Sequence, residues 1–303
     1  MFTSLRAQRG RGAVQERALP SFFIVGPPRT GTSWLHEILA PIALLPFPTK
    51  ETRFFDQHFR RGLNWYLAHF PASPEKRIMG EVAPTYFASA HAREHIAKLI
   101  PDAKVVCVFR NPVDRVLSLY RLKRAYGMFP WTFEQAILND PELLESGRYA
   151  THLKGWLGTL GEKQVLVTVY EDLKRDPQNY LNNITDFLCI PRISLTAAQR
   201  RFINASEGLT HPRSYYLTRA ASKIVAWFKA KRFDGLVAAA RRKIFLKLFL
   251  RSGSRFECLS QDHASKLYEL FRPEVEELES LLNRDFSTWK SGAVQGSEMP
   301  VAA

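Results

Sequence analysis

Phe22-Phe23-Ile24-Val25-Gly26-Pro27-Pro28-Arg29-Thr30-Gly31-Thr32-Ser33-Trp34-Leu35 is the stretch from which the fold can be read. Four apolar residues run straight into a glycine, as a buried parallel strand does at its end. After the second glycine, Trp34, Leu35, Ile38 and Leu39 recur at helical spacing. Strand, glycine-bounded turn and helix together make a cradle for an oxyanion. Backbone N–H groups converge there, and the helix dipole favours negative charge. Gly26 to Gly31 fits the G-x-x-x-x-G of a nucleotide-binding loop, but Thr32 stands where the loop lysine should follow. The cation lies inside the turn instead, at Arg29, among the hydroxyls of Thr30, Thr32 and Ser33.

Further apolar runs extend the pattern outward. Ile78 to Val82, Val105 to Phe109 and Gln164 to Tyr170 read as strands, and the intervening His91 to Ile100 has helical spacing. Asn111 can cap a helix that opens at Pro112, and Asp176-Pro177 opens another through Leu188. Strands alternating with helices predict an α/β fold, P-loop-like and three-layered, with a central parallel sheet flanked by helices. Ser260 to Leu282 reads as a strong amphipathic helix. The expected organisation is a mobile basic tail over residues 1–19, a single domain over 20–290, and a frayed tail over 291–303.

The chain has 303 residues, 21 of them Phe, and a formal charge of +14. An excess of that size predicts an acidic partner: a phosphorylated cofactor, a sulfated or phosphorylated substrate, nucleic acid or an anionic membrane. Leu217 to Arg251 holds ten Lys or Arg against the single acid Asp234, interleaved with apolar residues. A basic lid or insert over 217–255 and a membrane-resting surface over 217–251 both fit that pattern. Cys107, Cys189 and Cys258 are far apart with no C-x-x-C pair, which argues against a zinc site or a disulfide framework. No secretory h-region or membrane-length apolar run is visible, so a cytoplasmic location, peripheral to a membrane at most, is expected.

The second constellation follows the Val105–Phe109 run. Arg110 stands at that strand's end, where a P-loop NTPase wants an Asp for Mg²⁺, and Ser118 lies inside the next helix with Arg115 one turn before it. Strands of a parallel sheet end on one edge, so Arg110 should face the same crevice as the Gly26–Thr32 turn. A strand-end Arg with a nearby Ser can grip a second phosphate, and the pair of sites suits two anionic groups without a metal.

These residues resemble the sulfotransferases that use 3′-phosphoadenosine-5′-phosphosulfate (PAPS). Gly26 to Leu35 is similar to their 5′-phosphosulfate loop, and Arg110-Asn111-Pro112-Val113-Asp114-Arg115-Val116-Leu117-Ser118 to their 3′-phosphate motif. Lys50-Glu51-Thr52-Arg53-Phe54-Phe55-Asp56, Gly62 to Tyr66 and Glu81 to Phe87 resemble the heparan-sulfate, or Golgi carbohydrate, branch and its bacterial relatives. The resemblance implies a PAPS donor, a released adenosine 3′,5′-bisphosphate (PAP) and no metal. It places Pro28, Arg29, Thr30, Gly31, Thr32, Ser33 and Trp34 on the donor's 5′ side, and Arg110, Ser118 and Arg213 on its 3′-phosphate. Glu51 falls at the general base, a role a carboxylate can fill by taking the acceptor's proton. Arg29 falls where the family often carries Lys to steady the leaving group. Lys50, Arg53 and Asp56 are acceptor-side candidates. A substrate-contacting Lys of the heparan branch is Val82 here, which loosens any tie to a glycosaminoglycan acceptor.

The implied reaction moves a sulfuryl group from PAPS to a hydroxyl or amine of a carbohydrate-like, lipid or small-molecule acceptor. Two rivals remain open. One is a P-loop kinase acting on a small molecule, against which Thr32 and Arg110 speak. The other is a basic module binding nucleic acid or membrane through residues 217–251; on the enzyme reading no nucleic acid is expected as partner. Oligomeric state leaves no mark in the sequence.

Overall fold

The computed structural model describes residues 18–71, 78–201, 215–216, 218–220, 256 and 259–290. Five parallel strands form its centre: β1 (Phe22–Val25), β2 (Ala43–Leu44), β3 (Ile78–Val82), β4 (Lys104–Phe109) and β5 (Val165–Val169). Their spatial order is β2-β3-β1-β4-β5. The apolar run read as the first strand is thus the middle of the sheet, which is why all four of its residues are buried. Chain order reverses beside β1, since the β3–β4 connection crosses over it. Open parallel sheets bind ligands at such a switch point, outside the carboxyl ends of the strands.

Alternation along the strands divides the interior. Phe22, Ile24, Val106 and Val108 face a layer that includes Trp34, Leu35, Ile38 and Leu39 of α1 (Thr32–Leu39), and Leu181, Ile184 and Leu188 of the helix Pro177–Leu188. Phe23, Val25, Cys107 and Phe109 face the other layer. There they meet Ala92 and Ile96 on the helix Ala90–Leu99, Val113 and Val116 on the helix Pro112–Ala125, and Trp156 on Tyr149–Leu160. Phe271 and Val275 of the long helix Gln261–Leu282 close that side. Helices on both faces of a parallel sheet make the three-layer α/β fold that the apolar runs predicted.

Two register facts bring the loops together. Phe22 to Val25 pairs with Lys104 to Cys107, so the turn after β1 and the residue after β4 emerge side by side. Phe23 pairs with Glu81, which carries the end of β3 to the same edge. The two-residue β2 and the helix Tyr149–Leu160 have no counterpart in the sequence reading. The first is too short to show a period, and the second mixes glycines with its apolar positions.

Candidate active site

The turn after β1 needs its glycines for different reasons. At Gly26 (φ 145°) a Cβ would come within 2.5 Å of the Val108 carbonyl oxygen, so only glycine lets this strand end lie against β4. Gly31 (φ 100°) occupies the capping position of α1 and offers no side chain to its first turn. The leading N–H groups of α1 are therefore left for an anion, with the positive end of the helix dipole behind them. Arg29 also lies in the left-handed region, at φ 83°. That backbone turn carries its guanidinium across to the helix Pro112–Ala125 that follows β4, where Nε donates to Ser118 Oγ at 2.9 Å.

Arg110 meets the same spot from β4. Its Nη1 donates to the Arg29 carbonyl oxygen at 3.3 Å, and its guanidinium lies 4.9 Å over the Tyr170 ring. One acid that could have captured it, Asp172, is held by Arg284 and Arg175, while Asp114 and Glu171 remain within reach of its charge. Burial first, and then the Arg110 charge, lower the Arg29 pKa, as expected of two cations converging on an anion site. Arg115 takes no part. It is fully buried, with Nη1 on Ser146 Oγ at 2.9 Å and Nη2 on the Leu143 carbonyl, so the constellation is Arg29, Arg110 and Ser118.

The other loop residues divide by where their polar atoms go. Thr30 is buried and its hydroxyl donates to the Pro27 carbonyl at 2.9 Å, which braces the turn. Trp34, given a donor-side role by the resemblance, packs its indole against Tyr180 and donates it to the Gln199 carbonyl, and its backbone N–H bonds the Gly31 carbonyl. It seats the helix start in the core. Pro28 is half-buried and offers only a carbonyl, while Thr32 is buried at the first helical position and Ser33 is exposed beside it.

Ser33 is the link to the carboxylate. Lys50 Nζ donates to Ser33 Oγ at 3.2 Å and lies 3.8 Å from Glu51 Oε1. Glu51 keeps 31% of its side chain exposed, so it remains accessible from the crevice. Burial raises its pKa, and the Lys50 and Arg53 charges pull the other way. Arg53 binds Asp56 through Nε and Nη2 at 3.0 and 2.7 Å. Asp56 Oδ1 is buried without a hydrogen bond.

The sequence reading missed the support under this segment. Thr52 N–H and Oγ1 both donate to Glu81 Oε1, at 2.7 and 2.8 Å. Glu81 is wholly buried. A lone acid in the apolar run Ile78–Val82 was the available signal, because a buried carboxylate must find donors. Arg213 and nearly all of 217–251 lie outside the described residues. Among the described residues, no helix is long and apolar enough to cross a membrane.

A parallel sheet with a cradle after its central strand and a cation after the next defines an α/β protein whose strand ends are suited to anions. Its family is narrower. A family model described as a sulfotransferase domain matches residues 19–223, and the chain belongs to the sulfotransferase family. The bifunctional heparan sulfate N-deacetylase/N-sulfotransferase 2 of Bos taurus is 34% identical over 206 residues, covering 60% of this chain and 23% of the relative. The N-deacetylase/N-sulfotransferase 1 of Xenopus tropicalis is 26% identical over 304 residues, 92% of this chain and 32% of the relative. The chain thus spans a quarter to a third of the length of these curated relatives. A solved sulfotransferase from Alicyclobacillus acidocaldarius has the same fold, with TM-score 0.64 at 23% identity over 91% of this chain and 100% of that one.

Proposed function

We propose that this protein transfers a sulfuryl group from PAPS to a hydroxyl or amine of its acceptor and releases PAP. The observation that carries the reading is the Arg29–Ser118 hydrogen bond, which joins the two anion motifs across one crevice. The donor, when bound, supplies an activated sulfuryl group between a phosphate and the acceptor. The residues present fit such a molecule. The uncapped start of α1 offers N–H donors to the 5′ end, and Arg110 with Ser118 offers charge-assisted hydrogen bonds to the 3′-phosphate. Arg213, outside the described residues, is proposed to join that phosphate.

Glu51 takes the acceptor's proton as the new bond to sulfur forms. Lys50 stands between Ser33 and Glu51, where its ammonium offsets charge on the loop side and keeps the carboxylate ionised. Arg29 steadies the departing bisphosphate. Arg53 and Asp56, held as a pair, shape the acceptor side. Positioning and charge stabilisation therefore carry most of the catalysis. The part-exposed side chains of Lys50, Glu51 and Arg53 suit a polar acceptor, and a carbohydrate is the one we favour given the N-sulfotransferase relatives.

Glu51→Ala tests the assignment. Turnover with labelled PAPS should fall about 10²–10⁴-fold to a residual rate, while PAP still raises the thermal midpoint as it does in the parent. Saturation at about a hundred times Kd stabilises a protein by about 2.7 kcal/mol, a readily measured shift. Near-parent turnover in that variant would remove Glu51 from the role.

A further inference from the structure

We propose that Glu81 is the positioning residue of the catalytic carboxylate: by gripping Thr52 from beneath, it sets where Glu51 points. The proposal rests on the reading of Glu51 as the base. Glu81 cannot serve as a base itself, because it is wholly buried on the face of β3 that lies beside Phe23. Its two oxygens are saturated from three directions. Oε1 accepts from Thr52 N–H at 2.7 Å and Thr52 Oγ1 at 2.8 Å; Oε2 accepts from Tyr66 O–H at 2.9 Å and Tyr86 O–H at 3.2 Å.

The geometry makes this more than a buried polar cluster. The Thr52 N–H belongs to the same planar peptide unit as the Glu51 carbonyl. A hydrogen bond from that N–H to a strand residue fixes the plane of the unit, and so the direction in which the Glu51 Cα–Cβ bond leaves the chain. Thr52 Oγ1 adds a second hold and also accepts from Phe54 N–H at 3.1 Å, which ties the far end of the segment. Tyr86 O–H lies 3.2 Å from Thr52 Oγ1 and accepts from Phe55 N–H at 3.4 Å. Arg53, the next residue, sits at φ 54°, a backbone conformation that a non-glycine residue holds only when its surroundings impose it. Phe54 and Phe55 anchor the far end of the segment in the core, and Glu81 ties its near end, beside Glu51, to the central sheet. A base misplaced by about 1 Å can lose on the order of a hundredfold in rate.

The experiment is a double-mutant cycle between positions 81 and 51 on the full chain, read as kcat, donor KM and the thermal shift with PAP. Glu81→Ala is expected to lower kcat about tenfold or more with donor KM and the PAP shift unchanged. Glu81→Gln keeps an oxygen for both Thr52 donors and should recover most of the loss. In a Glu51→Ala background, Glu81→Ala should cost nothing further. Wild-type kcat in folded Glu81→Ala, or losses that add in the double variant, would overturn the proposal. Should Glu81→Ala not fold, Thr52→Val and Thr52→Ser decide: a several-fold drop in kcat with Val and recovery with Ser supports it, and equal kcat in both overturns it. Failure of the base assignment itself reads differently, since Glu51→Ala alone would then stay active.

Discussion

Arg29 answers to two constraints at one backbone position. It must sit at φ 83° to close the turn, and it must carry a cation far enough to reach Ser118 at 2.9 Å. A lysine can supply the charge but not the planar fork, which reaches a neighbour and a phosphate at once. Arg29→Ala and Ser118→Ala are each expected to weaken PAP binding, the first by about ten- to a hundredfold, the worth of a charge-assisted hydrogen bond. Titration of PAP by calorimetry measures both; unchanged affinity in Arg29→Ala would remove it from the donor site. Glu51 carries a second expectation at this scale. Because burial raises its carboxyl, the acidic limb of kcat/KM should lie above the value of an ordinary Glu. Neutralising Lys50 with Lys50→Met should move that limb further up, since the opposing charge is lost.

Among the elements, the β1–turn–α1 unit depends on two contacts that tolerate no added atoms. A methyl at position 26 would meet the Val108 carbonyl at 2.5 Å and its nitrogen at 2.9 Å, both backbone atoms that cannot swing aside. Gly26→Ala must therefore part β1 from β4 at the edge where Arg29 and Arg110 meet. The strained φ adds to that cost. We expect a loss of about 2 kcal/mol or more in stability together with loss of the PAP-induced thermal shift. Gly31→Ala is milder in packing, with 3.1 Å to the Tyr170 ring, although its φ of 100° still strains any side chain. A denaturant melt of both variants ranks them, and a Gly26→Ala midpoint above that of Gly31→Ala would contradict the argument.

For the molecule as a whole, charge and the buried acid set the response to solvent. With +14 formal charges, approach of an anionic donor is steered over a Debye length of about 8–10 Å, so donor KM should rise with ionic strength while kcat holds. Glu81 governs the pH response of stability. Burial pushes its carboxyl from 4.5 up to about 7, even though four donors face it. Between those values the native state keeps a proton that the unfolded chain has released. Its contribution is therefore full below about 4.5 and lost as pH rises through about 7. A difference of that size is worth about 3 kcal/mol. Thermal melts of Glu81→Gln should accordingly gain on the parent from about pH 5 to about pH 7 and level off above it; a constant difference across that range would refute the linkage.

Most of the alternation of strands and helices, the glycine-bounded turn after Val25 and the meeting of residues 29 and 110 at one sheet edge were legible in the linear chain, because each rests on local rules. Apolar runs mark buried strands, glycines mark turns with unusual φ, and parallel strands end on a common edge. Where polar atoms are spent was not legible. Arg115 and Ser118 sit one turn apart in sequence, yet only Ser118 faces the crevice, since Arg115 is drawn to Ser146 and Leu143. Trp34 belongs to a loop motif by position and to the core by packing. Glu81 and Thr52 are separated by 29 residues: the lone acid in an apolar run shows that donors are needed, but nothing near it shows which residue supplies them. Local pattern decides which elements form and which ends meet. Long-range contacts decide which side chains are left free at that meeting, because a buried donor or acceptor must be satisfied by whichever partner the completed fold brings to it.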